Sequence, residues 1–312
     1  MKILVGYTGF VGSNIYQSGD FDKGYNSKNI KEAFGTKPDL LVYSGLPAEK
    51  FLANSNPDKD MDLIREAENN IKLIDPKKIV LISTIDVFED PRNVNEKTEI
   101  STKNLQPYGY NRYKLECWVR EKYPEALIVR LPALFGKNIK KNFIYDFINF
   151  IPSMLNEKIF HKLLKEDSEI KKFYELQCNG FYKIKILNFH EKNELKEKFK
   201  KLKFSAINFT DSRNIYQFYP LDRLWKDIKI CMKNNIKLWH PATEPILVSE
   251  LYKYLTGEKF VNEILEKPME YDYKTIHDKL FCGDNGYICN KEEILKCIED
   301  FIKEYQYDRK KN

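Results

Sequence analysis

Gly6, Gly9 and Gly12 stand three apart in the run Gly6-Tyr7-Thr8-Gly9-Phe10-Val11-Gly12, directly after the apolar residues Ile3, Leu4 and Val5. A strand that ends in such a turn and then opens a helix can hold a diphosphate. The first glycine allows the tight turn, and the second lets the main chain approach the phosphates. The third lets the helix pack on the strand with its partly positive N-terminus toward the anion. The chemistry expected of Gly6, Thr8, Gly9, Phe10, Val11 and Gly12 is therefore dinucleotide binding. Glycine is scarce here, 13 in 312 residues, so three in the first twelve positions are a signal rather than background.

A second group pairs a phenol with an ammonium, Tyr110 and Lys114 in Tyr110-Asn111-Arg112-Tyr113-Lys114. On a helix this spacing puts both side chains on one face, where the ammonium lowers the phenol's pKa and makes it usable as an acid or base. The same spacing recurs at Tyr287 with Lys291 and at Tyr307 with Lys311, so position alone singles out the first pair. Upstream of it, the apolar run Ile79-Val80-Leu81-Ile82 ends in Ser83-Thr84-Ile85-Asp86. A hydroxyl at that strand end lies on the same sheet edge as the glycine turn. Alternation along a strand places Ser83 and Thr84 on opposite faces.

What must position these groups is a series of strands alternating with helices. Strands are predicted at 2–5, near Tyr25, and at 40–44, 79–83 and 126–131. Helices are predicted at 12–17, 61–74 and 110–122. This alternation means βαβ units and a doubly wound parallel α/β sheet, with ligands in the crevice at the carboxyl ends of the strands.

After Gly136 the texture changes: residues 137–205 are rich in lysine and aromatics, with helical spacing at Phe143, Phe147 and Ile151 and again at Phe160, Leu163 and Leu164. Amphipathic helices are expected at 245–256 and 291–305. The expected division is a nucleotide-binding domain of residues 1–136 with part of 206–240, and a smaller, mostly C-terminal α+β lobe of 137–205 and 241–312 that faces the substrate.

With 42% hydrophobic and 14% aromatic residues the chain can bury a full core, which excludes disorder. The net charge of +6 comes from 52 Lys plus Arg against 46 Asp plus Glu. Lysines dispersed along stretches such as 192–203 suit a solvated face rather than a nucleic-acid surface, and a mild positive excess suits anionic small molecules. Six cysteines at 117, 178, 231, 282, 289 and 297 form no CxxC pair, which suggests reduced thiols and no metal site. No apolar run approaches the roughly 18 to 20 residues of a membrane span. The expectation is a soluble, cytoplasmic protein that binds neither nucleic acid nor membrane.

The order of GYTGFVG, STIDVF, YNRYK and VRLPALFG resembles the extended short-chain dehydrogenase/reductase superfamily, which includes nucleotide-sugar epimerases, dehydratases and ketoreductases. The resemblance covers residues 1–136 well and the remainder loosely. It implies a Rossmann-like fold in which Thr84 bonds the substrate oxygen, Tyr110 gives or takes a proton, and Lys114 holds the nicotinamide ribose and tunes the tyrosine. It further implies that Pro132 passes beside the nicotinamide and that Ser44, Gly45 and Leu46 wall the cofactor. Leu46-Pro47-Ala48 departs from the Ala-rich turn usual in the family.

On the substrate side, Asn142, Phe143 and the region 212–222 resemble places where family members grip a nucleoside diphosphate, with Arg213 as the phosphate partner. The segment STIDVFED is nearer to that of ketoreductases, and Ile85-Asp86 stands where dehydratases carry an Asp-Glu pair. The implied activity is NAD(P)-dependent reduction of a keto group on a nucleotide-linked sugar. An epimerase with tightly held NAD is the alternative, and a non-catalytic NAD(P)-binding sensor or scaffold is the alternative of another class.

NAD enzymes place an Asp or Glu on the ribose at the end of the second strand. This chain has Tyr25-Asn26-Ser27-Lys28-Asn29 there, so Asn26, Ser27 and Lys28 favour NADP over NAD. Family members often form homodimers through paired helices. Met61, Ile64, Leu115, Trp118 and Val119 suit either that face or an internal core.

Overall fold

The computed structural model describes residues 1–311. The first five strands are β1 (Lys2–Val5), β2 (Lys23–Tyr25), β3 (Leu40–Tyr43), β4 (Ile79–Thr84) and β5 (Leu127–Leu131). They reproduce the predicted alternation to within a residue or two at each end. Three short later strands are β6 (Ala133–Phe135), β7 (Met154–Leu155) and β8 (Tyr174–Leu176), followed by β9 (Tyr182–Ile184), β10 (Ile215–Tyr216) and β11 (Phe218–Pro220). The last two are β12 (Leu238–Trp239) and β13 (Ile246–Leu247). The central sheet runs β12-β5-β4-β3-β1-β2, and every pairing in it is parallel.

All four residues of β3 and the first three of β4 are buried, because helices cover both faces of the sheet and leave no polar side to alternate with. On one face α3 (Pro57–Ile74) and α4 (Pro107–Lys122) pack over Ile3, Leu41, Ile79 and Ile128. Both helices begin with proline at a first-turn position, where its missing amide costs nothing. Ile64, Leu115 and Val119 lie in this core with Met61 and Trp118 packed against it, so these side chains serve the internal core. The other face carries α1 (Phe10–Ser18) and α8 (Leu224–Lys233), packed on Leu4, Val42, Val80 and Val129.

Between β1 and β3 the order reverses, since the chain steps outward from β1 to β2 and then crosses back to β3. A crevice opens at such a switch point. It is bordered by Leu63, Glu66, Ala67 and Asn70 of α3, while α2 (Lys50–Ser55) follows β3.

The remainder builds two smaller assemblies. Strands β7, β9 and β8 form an antiparallel sheet that packs with α6 (Glu157–Glu166) and α7 (Phe189–Lys201) around Leu155, Phe160, Phe173 and Phe199. Its centre is a stacked pair, Phe160 on Tyr182, with ring centroids 3.7 Å apart. A separate apolar cluster joins α5 (Phe143–Ile148), α9 (Val248–Thr256) and α10 (Lys291–Lys311) beside the paired strands β6 with β11 and β10 with β13. The helix expected from residue 245 starts only at Val248, because Ile246 and Leu247 pair with β10 instead. No helix among the described residues is long and apolar enough to cross a membrane.

Candidate functional site

The glycine turn has the form its spacing predicts. Gly6 has φ +92°, and a Cβ there would lie 2.3 Å from the Ser44 carbonyl oxygen, while one at Gly12 would lie 2.1 Å from the Gly6 carbonyl oxygen. Both glycines are therefore required by close main-chain packing. At Gly9 the nearest atom to an added Cβ is 3.3 Å away, so its outer side faces open space. The turn is closed by the Gly9 amide on the Gly6 carbonyl at 2.9 Å. No side chain caps α1, so its first amides remain available to an anion. A diphosphate fits this cradle.

Beyond it lies a cavity of about 330 Å³ whose wall includes Gly6, Thr8, Gly9, Asn26 and Ser27. Ser44, Gly45 and Leu46 form its other side. Phe10, Val11 and Gly12 do not line it. Phe10 and Val11 pack into the cores around α1, and Gly12 is consumed by the helix-to-strand contact. The Lys28 side chain is exposed outside the wall, and its amide donates to Asn26 Oδ1 at 2.9 Å to shape the turn. Asp20 and Asp22 are engaged by the side chain and the amide of Lys2 respectively, which keeps both carboxylates away from the end of β2.

A second cavity, of about 230 Å³, opens at the carboxyl ends of β4 and β5, with Thr84 and Pro132 in its wall. Lys50, Asp86 and Tyr271 face one another across it. Lys50 Nζ reaches Asp86 Oδ1 at 2.8 Å, and the Tyr271 hydroxyl donates to the same oxygen at 2.9 Å. Thr84 Oγ1 donates to Asp86 Oδ2 at 3.4 Å. Burial, reinforced by the Asp86 charge, holds the Tyr271 phenol far above its usual range.

The tyrosine that meets Thr84 is Tyr108. Its side chain is buried, and its phenol contacts the Thr84 hydroxyl. Gly109 makes this possible: a Cβ there would sit 1.9 Å from the Asp86 carbonyl oxygen, so α4 starts jammed against the segment after β4. Burial pushes the Tyr108 pKa up to about 12, outweighing the Arg112 charge and the Thr84 contact, which both act to lower it. The Arg112 guanidinium lies 4.6 Å from the Tyr108 ring centroid. It is buried, paired with Asp60 at 2.9 Å, and bonded to the Pro47 carbonyl at 2.8 Å.

Tyr110 and Lys114 do not reach the site. Successive helix residues are rotated by about 100°, so positions 108 and 110 point to nearly opposite sides of α4. Lys114 is exposed, with Nζ 5.3 Å from the Tyr110 ring centroid; none of positions 108, 110, 112 and 114 lines a cavity wall, and Tyr108 alone reaches the second cavity, through Thr84. Two tyrosine-to-cation pairs at four-residue spacing thus share one helix, and only Tyr108 with Arg112 faces the sheet.

The residues proposed for the substrate side have structural roles. Asn142 caps α5 through the amides of Ile144 and Tyr145 and donates to the Leu134 carbonyl. Phe143 is buried among Phe135, Phe147 and Phe260. Arg213 is tied to Asp211 at 2.8 Å, to Glu263 at 3.2 Å and to the Leu265 carbonyl. None of the three lines either cavity.

Sequence reasoning missed Tyr108, Arg112, Lys50 and Tyr271. A signal existed for the first two, since positions 108, 112, 115 and 119 form one helical stripe that contains the apolar Leu115 and Val119. Lys50 and Tyr271 are brought in by chain segments that lie far apart in sequence, and nothing local marks them.

No protein-family model and no curated protein sequence matches the chain. Solved structures do. A dTDP-4-dehydrorhamnose reductase from Bacillus anthracis in complex with NADP superposes with TM-score 0.62 at 16% identity, over 97% of this chain and 99% of that one. A GDP-mannoheptose C4 reductase from Campylobacter jejuni with NADP bound gives 0.61 at 15% identity, over 98% of each chain. A UDP-glucose 4-epimerase from Thermotoga maritima with UDP-glucose gives 0.63 at 12% identity, over 99% of each. The chain, over nearly its whole length, has the Rossmann-like fold of these enzymes.

Proposed function

We propose that this protein is an NADPH-dependent reductase acting on a carbonyl group of a nucleotide-linked sugar. One observation carries the reading: a buried phenol, its pKa raised to about 12, lies against Thr84, a strand-end hydroxyl in the wall of a cavity and two strand positions from a diphosphate cradle. Reduction needs a proton donor, and Tyr108 in this state donates. An epimerase must in addition remove a hydroxyl proton, for which a buried neutral phenol is poorly suited.

Gly6, Thr8 and Gly9 would hold the diphosphate, with the free amides at the start of α1. The dinucleotide supplies the hydride when bound. Pro132 would border the nicotinamide, and the Thr84 hydroxyl, turning away from its long 3.4 Å bond to Asp86, would donate its one hydrogen to the substrate oxygen. Tyr108 delivers the proton, and the fixed charge of Arg112 stabilises the phenolate left behind. NADPH is preferred over NADH in this reading, because Asn26 and Ser27 line the adenosine end and the nearest acids, Asp20 and Asp22, are held by Lys2. Two of the similar reductases contain NADP.

The test is to supply NADPH and a panel of nucleoside diphosphate 4-keto sugars and to follow loss of nicotinamide absorbance. Consumption with at least one keto sugar is expected. Interconversion of fully hydroxylated nucleotide sugars without cofactor consumption would instead establish an epimerase. Tight NADPH binding with neither reaction would leave a binding protein.

A further inference from the structure

The cation beside Tyr108 is an arginine, and a guanidinium does not release its proton in a protein. Both of its terminal nitrogens are also occupied, by Asp60 and by the Pro47 carbonyl. Once Tyr108 has given up its proton, Arg112 can steady the phenolate but cannot restore it. A chain of polar groups leads outward from the phenol, from Tyr108 to Thr84, from Thr84 to Asp86, and from Asp86 to Lys50. The Lys50 side chain is 41% exposed and Asp86 is 21% exposed, so this chain begins buried and ends in water.

We propose that Asp86 and Lys50 supply protons to Tyr108 through Thr84 after each turnover. The inference rests on the reductase reading. In the chemical step the reduced nicotinamide gives hydride to the carbonyl carbon, and the carbonyl oxygen takes the Tyr108 proton, leaving a phenolate. A Lys50 N–H bond then breaks as an Asp86 O–H bond forms. The carboxyl group turns, and its O–H bond breaks as Thr84 regains a proton in place of the one it hands to Tyr108. Water reprotonates the Lys50 amine, so each cycle consumes one solvent proton and leaves every side chain as it began. The Tyr271 hydroxyl orients the carboxylate. The other groups whose charges act with Asp86 are Lys141 and the phenols of Tyr216 and Tyr273, all three less suited than Lys50 to pass a proton to it, since none bonds to its oxygens.

Two measurements decide the matter. The first needs no substrate: the Tyr108 phenol is titrated by NMR in protein carrying ring-labelled tyrosine, the signal being identified by its loss in Tyr108→Phe. Asp86→Asn should lower the midpoint by on the order of one pH unit, by removing a neighbouring negative charge. An unchanged midpoint overturns the route. The second is rapid mixing with NADPH and a keto sugar, in which Lys50→Met should slow later turnovers about tenfold more than the first, the step that spends the stored proton. Added ethylamine should partly rescue Lys50→Ala. Equal slowing of first and later turnovers overturns the route even if the midpoint moves. If no keto sugar is reduced, the reductase reading fails separately, and the titration alone still shows whether the phenol is coupled to Asp86.

Discussion

Ser83 Oγ donates to Glu116 Oε1 at 2.6 Å in a fully buried contact, and this bond fixes the rotation of α4 about its axis. Arg130 holds the same carboxylate at 2.6 Å from the next strand. Positions 108, 112 and 116 lie one above another at four-residue spacing, so anchoring Glu116 beneath the sheet turns Arg112 and Tyr108 toward it as well. Ser83 and Thr84 then divide the labour of a single strand end, one locking the helix and the other facing the cavity.

Tyr108→Phe should reduce kcat by about 10²-fold or more, the usual contribution of a positioned proton donor, and leave the NADPH dissociation constant unchanged. Tyr110→Phe and Lys114→Met should leave kcat near the native value. Steady-state kinetics on the three variants, with a fluorescence titration of NADPH, checks this. A large loss in Tyr110→Phe alone would restore the assignment read from the sequence.

The five strands of the first 131 residues were legible because their apolar runs are short, continuous and regularly interrupted, whereas α2 was missed and α3 and α4 begin at Pro57 and Pro107, several residues before the predicted 61 and 110, so that Tyr108 fell outside the expected helix. The form of the glycine turn was legible because close main-chain packing demands glycine at Gly6 and Gly12, and Thr84 and Pro132, singled out by the resemblance, both stand in the wall of the second cavity. The register of α4 was not legible. Tyr110 with Lys114 and Tyr108 with Arg112 satisfy the same four-residue rule, and the stripe that faces the sheet is disguised by the buried charges of Arg112 and Glu116. Arg213 misled for the opposite reason: an arginine in a loop looks free in a sequence, whereas folding brings Asp211, Glu263 and Leu265 to it.

Gly9→Ala should fold with a melting temperature close to native and yet bind NADPH much more weakly. Its Cβ would meet one main-chain atom, the Gly6 carbonyl oxygen at 3.3 Å, which a shift of a few tenths of an ångström relieves, but would project where a diphosphate must approach. Gly12→Ala should instead lose both stability and binding, since its Cβ would meet the Gly6 carbonyl oxygen at 2.1 Å. Thermal melts paired with NADPH titrations separate the two outcomes.

Removing Asp60 leaves the Arg112 charge buried without its partner. Asp60→Ala should therefore cost about 3–5 kcal/mol of stability, measurable by urea denaturation. A loss below about 1 kcal/mol, the range of exposed ion pairs, would show that Arg112 finds water or another acceptor.

Native protein should bind NADPH more tightly than NADH. Asn26→Asp should reverse the order, because Asp keeps the oxygen that accepts the Lys28 amide while adding a charge that repels a 2′-phosphate and accepts from a ribose hydroxyl. Fluorescence titrations of both cofactors against both proteins test this. Tighter NADH binding by the native protein would contradict the preference.

Asp146, in the first turn of α5, has its pKa raised to about 7 by burial alone. The unfolded chain releases this proton near pH 4, the ordinary range for Asp. Between those values the folded state binds the extra proton, so this group's contribution to stability falls as pH rises from about 4 to 7 and stays at its lowest above that. Asp146→Asn should raise stability at pH 8 by roughly 1–3 kcal/mol and have little effect at pH 4. Denaturant melts across that range provide the readout.

The cluster around Phe160 and Tyr182 shares no buried side chain with the cores of the central sheet. Residues 150–204 are accordingly expected to come apart while the central sheet stays intact, as two separately melting units rather than one. Deuterium entering the amides of this segment ahead of those in β3 and β4 would record the order in which the molecule lets go of its own architecture.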